Sequence, residues 1–206
     1  MAETTETTEL YDHKDYNVPD NRYGDDVEAV LISEEALSKR IKELADIVSE
    51  EYKDAEEDLV LVCVLKGAAL LLTDFSRALS IPSEMEFMAV SSYGNSTTSS
   101  GVVRILKDLD KEIENRDVLI VEDIIDSGLT LSWLMKNLKG RNPKSLRAIT
   151  LLRKPEIQTA DVELMEVGFD IPNEFVVGYG LDYAERYRDL PFVGLLHPRV
   201  YSGQNS

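Results

Sequence analysis

Cysteine is nearly missing from this chain of 206 residues. The single one, Cys63, excludes an intrachain disulfide and a cysteine-based zinc site. Its setting, LVLVCVL, marks it as a small buried apolar side chain rather than a nucleophile. No apolar run approaches the ~20 residues that cross a bilayer, so no membrane partner is expected. The opening stretch, MAETTETTELYDHKDYNVPDN, has neither a basic flank nor an apolar centre and does not read as a secretory signal; a cytoplasmic protein is expected. Basic residues are also scarce. Lys and Arg number 22 against 39 Asp and Glu, a net charge of −17. Nucleic acid and anionic membrane both want a basic footprint, so neither is an expected partner. The same field repels a polyphosphate, and binding one would require local cations, oriented backbone N–H groups or Mg²⁺.

What is present is the pattern of one α/β domain. Residues 1–26 are polar, acidic and without apolar periodicity, and are expected to form a disordered tail. Residues 27–206 are read as a single domain, a size that a chain of this length supports. The segment 33–52 repeats apolar residues at Ala36, Leu37, Ile41, Leu44, Ala45 and Ile47, one face of a helix capped by Ser33. LVLVCVL (59–65) is a short, Val-rich apolar run and reads as a buried parallel strand. A helix follows over 68–79, then a strand over 86–93, a small polar loop over 94–101 and a strand over 102–106. DVLIVEDI (117–124) is a further strand, 130–140 an amphipathic helix, and 145–152 another strand. Short strands are expected over 174–179 and 192–196. Strands alternating with helices predict a mostly parallel central sheet flanked by helices, with a small irregular lobe from the C-terminal third.

The most informative stretch is VLIVEDIIDSGLTL (118–131). An apolar strand runs into Glu122 and Asp123, then Asp126, a Ser-Gly turn and Thr130 at a helix start. Ligands of open α/β sheets bind beyond the carboxyl ends of the strands, which is where these acids fall. Adjacent carboxylates there are costly unless they meet cations or hydroxyl donors. Gly128 permits close backbone approach, helix-opening amides favour an anion, and Ser127 and Thr130 add hydroxyls. Together they suggest a phosphate cup beside acids for ribose or metal. A lone Asp-Ser-Gly would be a helix cap; the whole string is more specific, and it is not a Walker A loop.

VLIVEDIIDSGLT resembles the phosphoribosyl pyrophosphate signature of type I phosphoribosyltransferases. VLKGA (64–68), SSYGNSTTSSG (91–101), LLRKP (151–155) and FVVGYGLDYAERYRDLP (175–191) resemble bacterial hypoxanthine–guanine phosphoribosyltransferases, over roughly 27–200 and in the family's order. The resemblance implies transfer of 5-phosphoribose from phosphoribosyl pyrophosphate to a 6-oxopurine, with Mg²⁺ as cofactor and a homo-oligomer, dimer or tetramer, as the assembly. It implies that Glu122 and Asp123 hold the ribose hydroxyls directly or through Mg²⁺, and that Asp126 accepts the proton of the purine imidazole. Ser127, Gly128 and Thr130 then cradle the 5-phosphate. Lys66 and Gly67, after a cis peptide from Leu65, contact pyrophosphate together with Arg188. Lys154 donates to the purine O6, Phe175 stacks on the base, and Val176 meets it through its backbone. Asp182 lies at the base edge near a second Mg²⁺, and the irregular lobe covers the base. Ser92 and Tyr93 open a lid. An ammonium is always a donor at neutral pH, so Lys154 suits a 6-oxo group and not a 6-amino group.

Two departures from the family pattern stand out. Arg153 occupies a position where many relatives carry an acid, which is expected to change the electrostatic setting of Lys154 and bears on base preference. Ala68 follows Gly67 where some relatives have a second glycine, which is tolerable where positive φ is not needed. Two other readings stay open. A non-enzymatic regulator of the same fold predicts a basic face, against which the net charge argues. Xanthine is an alternative base.

Overall fold

The computed structural model describes residues 10–92 and 103–202. In chain order the elements are β1 (Val27–Ile32), α1 (Glu34–Glu51), β2 (Leu59–Leu65), α2 (Ala69–Ala78), β3 (Ser83–Ser92) and β4 (Val103–Lys107). They continue as β5 (Asp117–Ile125), α3 (Leu129–Lys139), β6 (Ser145–Arg153), β7 (Glu166–Asp170), β8 (Val176–Val177), β9 (Val193–Leu196) and α4 (Pro198–Ser202). The expected α/β architecture is present. Six strands in the order β4-β3-β2-β5-β6-β7 form the main sheet, and β1-β9-β8 form a small second one. All main-sheet pairings are parallel except that of the edge strand β4 with β3.

Strand alternation explains why β2 and β5 read as unbroken apolar runs. Leu59, Leu61, Cys63, Leu119 and Val121 face a core shared with α1 and α2. Val60, Val62, Val118 and Ile120 face the opposite core, with Leu131, Leu134 and Leu138 of α3. Both faces are covered, so both sets of alternating residues must be apolar. Each fully buried aliphatic side chain contributes ~1.5–3 kcal/mol. Cys63 is buried as expected, and burial pushes its thiol up to about 12, far from a reactive thiolate.

The Ser33 hydroxyl accepts from the Ala36 amide, so the expected cap of α1 is formed. Its buried face includes Val48, whereas Ile47 points outward. Trp133 packs partly buried against the α3 core. The connection β2-α2-β3 runs to one side and β5-α3-β6 to the other, so the topological switch lies between β2 and β5. A crevice forms there beyond the strand ends.

Several local expectations are corrected. Residues 10–26 are not a disordered tail: the Tyr11 amide donates to the Asp170 carbonyl, Asp15 bridges Val30, and Lys14 pairs with Glu174. The Tyr11 ring also meets Phe169 edge-on at 5.1 Å. Residues 1–9 lie outside the described part. The strand expected over 174–179 shrinks to two residues, because the chain turns into left-handed backbone from Gly178 onward. Strands β1 and β7 had no sequence assignment. Their runs, VEAVLI and EVGFD, are short and broken by Glu28 and Gly168, unlike the continuous run of β2.

Candidate active site

The first wall is the end of β5 against the loop after β2. The Leu65–Lys66 peptide is cis, as the resemblance implied. Gly67 follows, and the Asp123 carboxylate lies against its Cα: a Cβ there would sit 1.7 Å from Asp123 Oδ2. On its other side Gly67 meets Gly180, whose own Cβ would come within 2.1 Å of the Gly67 carbonyl oxygen. A side chain at Gly67 would have to displace the Asp123 carboxylate, and one at Gly180 the Gly67 backbone. Ala68 has φ −73°, so the alanine there is unstrained.

Glu122 is buried and Asp123 half-buried. Burial, then the Asp123 charge, hold the Glu122 carboxyl well above the usual carboxylate range. Burial likewise raises Asp123 to about 6, opposed by the Ile124 amide on Oδ1 and by Arg188. Such a pair lowers its free energy by meeting hydroxyl donors or a cation.

The turn after β5 is held from behind. The Ser127 carbonyl accepts from the amides of Thr159 (3.1 Å) and Ala160 (3.0 Å). Gly128 has φ +78° and is the N-cap of α3, so the position has no side chain to occupy the helix-opening amides. Those amides are available to an anion, and Ser127 and Thr130 line the same cleft. Ser127 Oγ accepts from the Leu129 amide only at 3.4 Å, so no tight side-chain cap closes this helix.

A second cleft adjoins the first and shares Gly67, Asp123, Ile124 and Asp126 with it. It brings together Lys66, Lys154, Phe175, Val176, Asp182 and Arg188, residues spread over more than half the chain. Lys154 is nearly buried, and its Nζ lies 2.9 Å from Asp126 Oδ1. Phe175 is part-exposed to the cleft; Tyr201 stacks on it at 5.0 Å and Tyr183 meets its edge at 5.5 Å. Arg188 donates to the Gly180 carbonyl (2.7 Å) and pairs with Asp182 Oδ1 (2.8 Å).

Asp182 is bound on both oxygens by its own loop, since Oδ2 accepts from the Glu185 amide at 2.9 Å. Among the described residues no three His, Cys, Asp or Glu side chains gather as a metal site. Glu122 and Asp123 at the end of β5 and Asp182 in the later loop stand apart, as two separate Mg²⁺ positions would require. Arg153 does not reach the cleft. Its guanidinium makes a two-pronged pair with Asp170, at 2.6 and 2.8 Å, which neutralises the charge that the sequence placed beside Lys154. Ser92 ends β3, and Tyr93, with the loop after it, lies outside the described residues.

Sequence reasoning missed how the loop that carries Arg188 is held. Six residues between 178 and 187 have left-handed φ, and four are not glycine: Tyr179, Ala184, Glu185 and Tyr187. The N-terminal segment fixes this loop. Tyr187 is buried and donates to Asp26 Oδ2 at 2.9 Å, its ring lies 4.5 Å from that of Tyr23, and Tyr23 donates to Asp189. The Tyr179 hydroxyl donates to Asp74 of α2 at 2.7 Å. The clustered Tyr, Asp and Arg of 16–26 and 183–189 were visible in the sequence, but no local pattern pairs them.

Comparison with known proteins agrees with this geometry. The family described as a phosphoribosyl transferase domain matches residues 31–184. A hypoxanthine-guanine phosphoribosyltransferase of Mycobacterium tuberculosis is 60% identical over 183 residues, covering 87% of this chain and 91% of the relative. One from Bacillus subtilis is 53% identical, over 85% of this chain and 97% of the relative. The crystal structure of a Staphylococcus aureus hypoxanthine phosphoribosyltransferase superposes with a TM-score of 0.84 at 43% identity, covering 89% of this chain and 99% of that one. A Trypanosoma cruzi hypoxanthine phosphoribosyltransferase in complex with the product IMP gives a TM-score of 0.81 at 43% identity, over 88% and 100%.

Proposed function

The chain belongs to the phosphoribosyl transferase family, and within it to the hypoxanthine–guanine phosphoribosyltransferases, and from that premise we propose how its own residues carry the reaction. The reaction moves 5-phosphoribose from phosphoribosyl pyrophosphate to N9 of hypoxanthine or guanine, giving IMP or GMP and pyrophosphate, a purine salvage step.

One observation carries the base assignment: the Lys154–Asp126 pair, 2.9 Å apart, in the cleft that Phe175 lines. A 6-oxopurine presents O6 and N7 on one edge. An ammonium and a carboxylate side by side offer a donor to O6 and an acceptor for the imidazole proton. A 6-amino group would face the ammonium with another donor, which argues against adenine. Phe175 gives the base an aromatic face, and Val176 offers its backbone.

The shared wall orders the sugar. Glu122 and Asp123 take the ribose hydroxyls, and carboxylates there stabilise positive charge developing on the ring as pyrophosphate leaves. Ser127, Gly128 and Thr130 take the 5-phosphate at the start of α3. Lys66, the Gly67 backbone and Arg188 take pyrophosphate. The raised affinity of Glu122 and Asp123 for positive charge fits Mg²⁺, which is bound by one or two carboxylates and completed by substrate phosphates and water. Bound there, Mg²⁺ would offset the charge growing on the leaving group. Asp182, whose Oδ1 pairs with Arg188, would lie at the base edge near a second Mg²⁺.

Residues 27–206 act as one domain on this reading, in a cytoplasmic homo-oligomer, dimer or tetramer. The exposed Leu70 of α2 supports a subunit contact. A spectrophotometric assay with hypoxanthine, guanine, xanthine and adenine, each with phosphoribosyl pyrophosphate and Mg²⁺, tests the reading. Turnover is expected with 6-oxopurines and not with adenine. No turnover with either hypoxanthine or guanine overturns it. Lys154→Ala should raise the KM for the base ~10- to 100-fold, the effect of losing a charged donor; an unchanged KM removes the O6 role.

A further inference from the structure

Glu185 has no part in the roles above, yet it touches two of the cations assigned to pyrophosphate. Its Oε2 lies 2.6 Å from Lys66 Nζ, and its Oε1 lies 3.4 Å from an Arg188 guanidinium nitrogen. Lys66 and Arg188 come from opposite walls of the cleft, and this carboxylate joins them. Chemically it presents to each cation what a phosphate presents, an anionic oxygen. The Lys66 ammonium is the main cause that lowers the affinity of Glu185 for a proton, so the carboxylate stays charged at neutral pH.

The attachment of Glu185 is divided. Its backbone is fixed: the amide donates to Asp182 Oδ2, and Ala184 and Glu185 have φ of +52° and +64°, a conformation that non-glycine residues keep only where surroundings enforce it. Its side chain is exposed, as is that of Lys66, at 65% and 64%. An exposed ion pair is weak and exchanges readily. Asp182, by contrast, is committed on both oxygens. One acid therefore holds the loop and the other is free to swing.

Resting on the reading of Lys66 and Arg188 as pyrophosphate ligands, we propose that Glu185 is a carboxylate gate of the pyrophosphate subsite. It bridges the two cations, yields them when the diphosphate of the substrate arrives, and competes for them again as pyrophosphate leaves. The gate keeps two neighbouring cations paired between turnovers and prevents the product from binding too tightly.

Calorimetric titration of Mg-pyrophosphate and of IMP into the wild type, Glu185→Gln, Lys66→Ala and the double variant tests this. Glu185→Gln should bind Mg-pyrophosphate ~3- to 10-fold more tightly, as one exposed and one partly exposed pair no longer compete, with IMP affinity changed less than ~2-fold. Lys66→Ala should weaken Mg-pyrophosphate, and in that background the gain from Glu185→Gln should shrink below ~2-fold. Unchanged or weaker pyrophosphate binding in Glu185→Gln, with Lys66→Ala still weakened, overturns the gate and leaves the pyrophosphate reading standing. Unchanged binding in Lys66→Ala overturns that reading, and the gate with it. If Glu185→Gln lowers the melting temperature, Glu185→Asn, which tolerates left-handed backbone, repeats the measurement.

Discussion

The two adjoining clefts are built in opposite ways. Of the twelve residues lining the sugar-phosphate cleft, nine lie between Glu122 and Leu131, so one strand end and one turn supply most of it. The base and pyrophosphate cleft takes its lining from around Lys66, from Asp123 to Asp126, from Lys154 and from 175–188. The first stands on the central sheet, backed by two apolar cores. The second is roofed by a loop in left-handed backbone, held by ion pairs and by the segment before β1. A contiguous site inherits its geometry from the sheet. An assembled one depends on contacts between segments far apart in the chain, and small changes at those contacts should reach its function.

The largest expected effect comes where both clefts share a residue. Asp126→Asn keeps the shape of the side chain and removes the proton acceptor. It should lower kcat ~10²- to 10⁴-fold, the range of general-base catalysis, with steady-state rates as the check; near-normal turnover would take Asp126 out of that role. Next is the seam between the clefts. Gly67→Ala must push Asp123 or the backbone aside, and kcat/KM for phosphoribosyl pyrophosphate should fall about 10²-fold. An effect below threefold would show that the Asp123 carboxylate moves aside easily for the Cβ that would otherwise sit 1.7 Å from its Oδ2.

A third prediction sets stability against function in the contiguous cleft. Asp123 has its proton affinity raised to about 6 in the folded protein, against ~3.9 for a free side chain. The folded state therefore holds the proton more tightly. The stability tied to this group is greatest below pH ~4 and is lost as pH rises toward 6. In the absence of Mg²⁺ and substrates, Asp123→Asn should be more stable than wild type by about 2–3 kcal/mol at pH 8 and about equal at pH 4. Denaturant unfolding at both values checks this, and a difference independent of pH would contradict it. The smallest effect belongs to the roof. Tyr187→Phe removes the hydrogen bond to Asp26 and should cost about 1 kcal/mol. It should also raise KM for phosphoribosyl pyrophosphate a few-fold through Arg188.

Legibility in the sequence follows the same division. Strands β2, β5 and β6, helices α1 to α3 and the acid pair with its Ser-Gly turn were readable, because alternation, helical period and strand-end position are local patterns. Helix α1 was placed to within a residue at each end, since Ser33 and the apolar face both mark it. Strands β1 and β7 were not assigned, and the segment 10–26 was misread, because its few anchors (Tyr11, Asp15, Tyr23, Asp26) find their partners more than a dozen residues away. Arg153 shows the limit for charge. Its neighbour in sequence is Lys154, but its partner is Asp170 on the adjacent strand.

By itself the sequence determined that this chain folds around buried parallel strands and presents Glu122, Asp123 and the Ser127-Gly128 turn at a strand end. Burial on both sheet faces and the geometry of a strand passing into a helix leave little other choice. Tertiary structure alone decided that Gly67 lies between Asp123 and Gly180, that Lys154 meets Asp126, that Arg153 turns away, and that Glu185 joins Lys66 to Arg188. Those are contacts between segments far apart in the chain, and their geometry is set by how layers and loops pack rather than by any residue's neighbours in sequence.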